Sequence, residues 1–168
     1  AMAIGEAGQI VANSPTENQP ITVTLSVSLD NAVIALTGTN IGGNQHSSRI
    51  IDVQEDSFTF IIEEWEYHDG AHGVFETINY IAIEAGEHTL PDGRMIVAGT
   101  AQATHNSGSF SFENAFNGTP TVLTSVMSNN ETTTIDSDPR DITANGFNIR
   151  LQEEENEDRV HVAETVGF

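Results

Sequence analysis

Cysteine is absent from this 168-residue chain, and positively charged residues are few. Without a thiol, the chain has no disulfide framework, no thiolate metal site and no cysteine nucleophile. Five Lys and Arg residues stand against 25 Asp and Glu residues, which gives a net charge of -20. Because such a surface repels phosphate groups, we expect neither nucleic acid nor an anionic membrane surface as a partner.

Long apolar runs and helical patterns are also missing. No stretch of about 18 apolar residues occurs, so we expect no membrane insertion. The first residues, AMAIGEAG, lack the basic start and the apolar run of a signal peptide. No hydrophobic period of 3.6 residues appears, so we predict almost no helix. A hydrophobic content of 38% still suffices for a packed core, and these features together predict an all-β fold.

Strand patterns are what the chain does contain. Residues 21–29, ITVTLSVSL, alternate between apolar and polar side chains, which is typical of a strand with one buried face. Residues 58–83 contain two further strands that flank a polar loop with the turn signal Asp69-Gly70. This segment is therefore predicted to be a β-hairpin.

The hairpin occurs a second time near the end of the chain. Residues 147–168 form a shorter and more polar copy of residues 58–83, and an offset of 89 residues carries His72 to His161. A repeat of this length corresponds to one domain for each copy rather than to one turn of a solenoid.

The repeat leads to a prediction of domain organisation. We expect two tandem antiparallel β-sandwich units, covering residues 1–92 and 93–168. The sequence after the second hairpin stops where the first continues with YIAIEAG, so the last strand of the second unit is predicted to be truncated.

The first unit carries a recognisable pattern. Arg49 is followed by Val53, then by Phe58, then by Trp65 seven residues later, and the segment closes on the strand YIAI at residues 80–83. This pattern resembles the H-type lectin domain, and tandem repeats of large secreted bacterial proteins look similar. The resemblance implies a small antiparallel β-sandwich that assembles as trimers or hexamers and binds galactose-type sugars.

The resemblance also implies a carbohydrate site in a groove between subunits. The family's arginine and aromatic positions are matched by Arg49 and Trp65, and Glu66 stands where the family has a histidine. The N-terminal loop, which carries an aspartate in the family, offers Asn13 and Glu17 instead. In the second unit, the arginine and aromatic positions hold Asp138 and Glu154, so sugar binding is expected in the first unit alone.

Trp65 is the sole tryptophan, and the strand alternation directs it away from the face that carries Phe58. An indole in such a place can stack on the C–H face of a sugar. It can equally pack in an interface between subunits or sheets. The residue pattern leaves both interpretations open.

Acidic side chains cluster at the strand ends of both hairpins. Oxygen ligands suit Ca²⁺, so the sequence offers calcium candidates, namely Glu64, Asp69, Glu155 and Asp158. The spacing does not match a calcium-binding loop, and a solvated acidic surface would look the same. We therefore expect no cofactor, with Ca²⁺ as the alternative.

One histidine group recurs with the hairpin: His72 with Asp69 and Glu76, then His161 with Asp158 and Glu164. A metal triad or an acid–base set would have this composition. The interpretation we favour is a carboxylate hydrogen-bonded to a histidine that fixes the loop between two strands.

No catalytic motif appears, so we expect no enzyme. The predicted function is non-catalytic carbohydrate binding by an extracellular or cell-surface module whose partners are a glycan or polysaccharide. Neighbouring repeats or further copies of the chain would raise weak affinity by multivalency. The alternative is a structural spacer or adhesin repeat of a large secreted surface protein, without a small-molecule ligand.

Overall fold

The computed structural model describes residues 3–68, 70–155 and 157–168, and this part of the chain folds into strands without a helix. The all-β prediction is therefore confirmed, and no helix among these residues could cross a membrane. The fourteen strands are β1 (Gly5–Ser14), β2 (Ile21–Thr24), β3 (Ala32–Gly38), β4 (His46–Gln54), β5 (Ser57–Glu64), β6 (His72–Glu84), β7 (Gly86–Thr89), β8 (Met95–Ala98), β9 (Thr100–Ala103), β10 (Gly108–Ser111), β11 (Ser125–Val126), β12 (Ile135–Thr143), β13 (Gly146–Glu153) and β14 (Glu164–Gly167).

The strands form two sets of sheets with matching order. In the first half of the molecule, β1 to β6, the sheets have the orders β1-β6-β3 and β2-β5-β4. In the second half, β9 to β14, the orders β9-β14-β11 and β10-β13-β12 repeat this arrangement strand for strand. The hairpin β7-β8 lies between the halves, and the proposed boundary at residues 92 and 93 falls in its turn. The division into two domains stays a prediction.

The register of the strands repeats as well. His46 pairs with Glu64 across β4 and β5, and Ile135 pairs with Glu153 across β12 and β13. Both partners of the second pair lie 89 residues after those of the first. The structural offset between the hairpins thus equals the offset found in the sequence.

Each half encloses its own apolar core between two sheets. In the first half, Ile34 and Ile78 of one sheet face Ile50, Phe58 and Phe60 of the other, and all are almost completely buried. Burial of this apolar surface stabilises the fold by roughly 25 cal/mol for each Å² removed from water. The second core is built from the corresponding strands and includes Phe147, Ile149, Leu151 and Val166.

Two strands differ in length from expectation. The predicted strand at residues 21–29 ends at Thr24, after which the backbone hydrogen-bonds to a turn, with Leu25 N donating to Asp56 O and Leu29 N to Glu55 O. The side chains of Leu25 and Leu29 remain buried, so the alternation predicted the buried face correctly but not the pairing. At the N-terminus, the short apolar run at residues 10–12 predicts only a brief edge strand, whereas β1 spans ten residues because it pairs with β6 along most of its length.

Candidate functional site

The structure places Arg49 in the contact between the two halves. The residue lies on β4 of the first half, and its side chain is 0% exposed. A guanidinium taken out of water is costly unless hydrogen-bond acceptors and a counter-charge surround it. The groups that accept hydrogen bonds from Arg49 are therefore contacts that hold the two halves together.

The acceptors come mainly from the loop between β11 and β12 in the second half. Arg49 Nη1 donates to Asn129 Oδ1 at 2.6 Å and to Glu131 O at 2.6 Å, and Nη2 donates to Thr133 O at 2.5 Å. Arg49 Nε lies 3.0 Å from Glu63 Oε2 in its own half. We call this set of contacts, formed by Arg49, Glu63 and loop residues 127–134, the Arg49 joint.

Glu63 supplies the counter-charge within the joint. Burial raises the pKa of Glu63 to about 7, and the adjacent Arg49 guanidinium limits that rise. Because Glu63 is 2% exposed and its pKa is about 7, its carboxyl group is mainly ionised only above pH 7, and the Arg49 guanidinium favours this ionised form. The two side chains therefore form a buried ion pair in which each compensates the other.

A second set of contacts joins the halves beside Arg49. The backbone N–H of Glu66 donates to Glu154 Oε2 at 2.5 Å, and Thr134 Oγ1 donates to Glu64 O at 3.0 Å. Both Thr134 and Glu154 are buried. The segment after β5, which the sequence assigned to ligand binding, therefore packs against the second half.

These positions correct the predicted carbohydrate site. The resemblance placed Arg49 beside Trp65 in a groove between subunits, but its guanidinium is buried and contacts Asn129, Thr133 and Glu63. Trp65, Glu66 and Glu17 do line one small cleft of about 230 Å³. Asn13 lies apart from that cleft and donates its side-chain amide to Gly73 O at 3.1 Å.

A larger cleft of about 510 Å³ also borders Trp65, which is half-buried. Its other walls come from the second half and include Asp138, Arg150 and Gln152. Arg150 Nε lies 3.3 Å from Asp138 Oδ2, and its Nη2 donates to Gln152 Oε1 at 3.1 Å. The cleft thus combines an aromatic ring with polar groups that are partly exposed to solvent.

The recurrent histidine group has a different composition from the predicted one. His72 Nδ1 lies 2.9 Å from Glu64 Oε1, and its Nε2 lies 3.0 Å from Glu76 Oε1. All three side chains are buried. Asp69, which the sequence grouped with His72, lies outside the described residues, and Glu64 of the preceding strand is the second carboxylate.

The second half repeats this triad. His161 Nδ1 lies 3.1 Å from Glu153 Oε1, and its Nε2 lies 3.3 Å from Glu164 Oε1. Asp158, the predicted partner, instead accepts the backbone N–H of Val160 at 2.7 Å within its own turn. The short side chain of Asp158 accepts a backbone N–H of its own turn. The longer side chain of Glu153, at the end of β13, extends to the imidazole of His161.

Glu76 and Glu164 each anchor the loop of their own half. Glu76 accepts hydrogen bonds from the Thr39 hydroxyl at 2.5 Å and from the backbone N–H groups of Ile41 and Gly42. Burial alone would raise the pKa of Glu76, but these donors, together with His72, lower it to about 2. The imidazole therefore joins the hairpin to the carboxylate that holds the loop.

The matching donors in the second half are the Ser128 hydroxyl and the N–H groups of Asn130 and Glu131, all directed at Glu164. Burial opposes these donors, yet they lower the pKa of Glu164 below its usual range. This loop also supplies the acceptors for Arg49, and Glu164 Oε1 itself lies 4.0 Å from Arg49 Nη1. Glu164 therefore contributes to the joint both through the loop and as a second carboxylate near the guanidinium.

Three of the calcium candidates, Glu64, Glu155 and Asp158, lie in the described part of the chain and have different environments. Glu64 Oε1 is engaged by His72 and by the Asn44 amide at 3.2 Å. Glu155 is exposed, Asp158 closes a local turn, and Asp69 is outside the described residues. Within the described ranges, two groups of His and acidic residues are close enough to hold a metal ion, and neither contains these residues: His46, His72 and Glu76, and Glu131, Glu153 and His161.

Sequence reasoning missed Glu63, Glu64 and Asn129 as parts of these networks. The offset of 89 carries Glu64 to Glu153, so a search for recurring ionisable residues could have found the triad. Glu63 carries no such signal, because Gln152 stands at the related position. Asn129 recurs as Asn40, but Asn40 accepts a hydrogen bond from Gly43 N, so recurrence does not reveal the contact of Asn129 with Arg49.

Removal of Arg49 should destabilise the protein strongly. In an Arg49→Met variant, Glu63 would be buried without its cation and three loop oxygens would lose their donor, so we expect the free energy of unfolding to fall by about 3–5 kcal/mol. Urea denaturation measures this change. Arg94→Met breaks the exposed pair with Asp92 and should change stability by about 1 kcal/mol or less. A loss from Arg49→Met as small as that of Arg94→Met would contradict the joint.

Acid should remove the contribution of Glu76. Its pKa is lowered to about 2 in the folded state from a usual 4.5, so its stabilisation is present above pH 4.5 and is lost as the pH falls towards 2. We expect the stability difference between the wild type and Glu76→Gln to shrink over this range. Unfolding titrations at several pH values measure it, with Glu113→Gln, a change at an exposed glutamate, as the surface control. A Glu76→Gln difference that is independent of pH would refute the assignment.

Comparisons with known proteins place the chain only coarsely. No protein-family model and no solved structure matches it. Halomucin of Haloquadratum walsbyi is 29% identical over 160 residues, which is 88% of this chain. The chain spans 2% of that protein's length. Similarity along most of a short chain to a small part of a very long protein fits the expectation of a repeat-type segment, and the H-type lectin resemblance stays a prediction.

Proposed function

We propose that this chain is a non-catalytic structural segment of a large secreted or cell-surface protein, in which buried joints fix successive β-sheet units in relative orientation. The observation that carries the proposal is the Arg49 joint, where one fully buried guanidinium bonds to both halves. The partial match to Halomucin supports an origin in a long protein. The acidic surface, with a net charge of -20, suits an exposed and well-solvated location.

The joint connects unlike surfaces of the two halves. A strand face of the first half, at Arg49, contacts a loop of the second half, at residues 127–134. Such a heterologous contact leaves a loop free on one side and a strand face free on the other. Residues 38–45 of the first half correspond to the acceptor loop, with Thr39 and Asn40 also lining the cleft between the halves, and we infer that this loop receives an arginine from a preceding unit. Neighbouring repeats are therefore the partners we propose.

The joint can be tested by the distance between the halves. Because the chain has no cysteine, Val11→Cys and Leu123→Cys provide two unique exposed sites for spin labels, one in each half. We expect a single narrow distance distribution by electron–electron double resonance. Arg49→Met should broaden it while circular dichroism still reports β-structure, and Arg94→Met should leave it unchanged. A broad distribution in the parent protein would refute a rigid joint.

Carbohydrate binding is the second candidate, and the cleft beside Trp65 favours it. An indole face bordered by Arg150, Asp138 and Gln152 offers stacking together with hydrogen bonds, which is the chemistry that a sugar ring requires. The guanidinium in this arrangement belongs to Arg150 rather than to Arg49. The binding groups would come from both halves, so the joint would also hold the site in shape.

A glycan array with galactose-type and acidic polysaccharides tests this candidate. If sugars bind in the cleft, Trp65→Ala should abolish the signals while the melting temperature stays within a few degrees of wild type. Phe75→Ala removes another exposed aromatic ring, 59% exposed, and should retain them. An array without signals would exclude carbohydrate binding. If the labelled protein also gives a narrow distance distribution, the structural function is the one supported.

A further inference from the structure

Two histidines and a glutamate converge in the first half, at the ends of β4 and β6. The ligand atoms of His46, His72 and Glu76 all lie within 4.8 Å of one another. The rings of His46 and His72 are 4.2 Å apart between centroids. His72 and Glu76 are buried, and His46 is half-buried. The cluster is therefore compact, and one member remains open to solvent.

The outer nitrogen of each imidazole is already held. His72 Nδ1 contacts Glu64 Oε1 at 2.9 Å, and His46 Nδ1 contacts Asn44 O at 3.3 Å. Metal-bound histidines nearly always donate their second ring N–H to a carboxylate or a backbone carbonyl in this way. Both contacts direct the Nε2 atoms towards the same small space.

The inner atoms are suitable as metal ligands. No hydrogen bond to His46 Nε2 is formed among the described residues, and an Nδ1–H that donates to Asn44 O leaves the lone pair of Nε2 available to a metal ion. Glu76 is ionised, and its Oε1 lies 3.0 Å from His72 Nε2. A metal ion would replace the proton between these two atoms and would require them to separate by a few tenths of an ångström.

We propose that His46, His72 and Glu76 bind one divalent transition-metal ion of the Zn²⁺ type. Two imidazole nitrogens and one carboxylate oxygen form a ligand set for zinc, and water can fill the fourth position. Calcium prefers six or more oxygen ligands and does not fit this set. The ion can enter from the cleft of about 420 Å³ between the halves, which His46, Thr39 and Asn40 line.

The second half provides an internal comparison. The triad of Glu153, His161 and Glu164 is present there, but Ile135 stands at the position of His46. An isoleucine at the position that corresponds to His46 is therefore compatible with an intact triad of one histidine and two glutamates. The group in the second half, Glu131, Glu153 and His161, contains one imidazole, so a site with two imidazole ligands exists in the first half alone among the described residues. His46→Ile therefore introduces the residue that the fold already has at the matching position of the second half.

Zinc binding can be measured by calorimetry on the full chain after treatment with a chelator. We expect one equivalent of Zn²⁺ to bind, the melting temperature to rise with zinc concentration, and affinity to fall at lower pH because protons compete with the metal ion for its ligands. Ca²⁺ at the same concentrations should produce no shift. Co²⁺ should give the intense visible absorption of a four-coordinate site.

His46→Ile should weaken zinc binding by about tenfold or more and abolish the Co²⁺ absorption. His68→Gln removes a nearby histidine outside the cluster and should leave both unchanged. Absence of binding at micromolar Zn²⁺, or equal binding by wild type and folded His46→Ile, would overturn the proposal. Several weak equivalents that persist in His46→Ile would identify adventitious binding to the acidic surface, which also overturns it.

Discussion

A buried guanidinium must find acceptors for its N–H groups, and the relative placement of the two halves depends on this requirement. Arg49 takes its counter-charge from Glu63 and three oxygens from the loop of the other half. Loss of any partner would leave polar atoms buried without compensation, which costs more than the intact arrangement contributes. The halves are therefore held by a directional contact as well as by apolar packing.

The hydrogen bonds of Arg49 depend on a second set of contacts, which Glu164 makes. The acceptor loop keeps its shape because Glu164 receives the Ser128 hydroxyl and two backbone N–H groups, and His161 orients Glu164 in turn. The same arrangement around Glu76 exists in the first half. The two halves have diverged at Arg49, where the second has Asp138, but both retain the histidine and carboxylates that fix the loop. The contacts that fix each loop are thus the same in both halves, although only the first half has an arginine that binds the loop of its neighbour.

Sequence patterns predicted the all-β fold, the repeated hairpin and its offset. They also placed His72 and Glu76 in one group, because both lie within a single hairpin. They assigned Asp158 to the second group in place of Glu153 and did not include Glu64 in the first, since nearness in sequence favoured residues of the turn over the preceding strand. The actual carboxylates arrive from across the hairpin, where antiparallel pairing brings distant positions side by side.

The sequence by itself determined which faces of the strands are buried and which local contacts recur, because a period of two and a hairpin act over a few residues. The tertiary structure decided the environment of Arg49, whose acceptors lie 80 to 84 residues away in the chain. No pattern near Arg49 distinguishes a guanidinium exposed to a ligand from one enclosed by another loop. That distinction arises only when the second half folds against the first and removes the side chain from water.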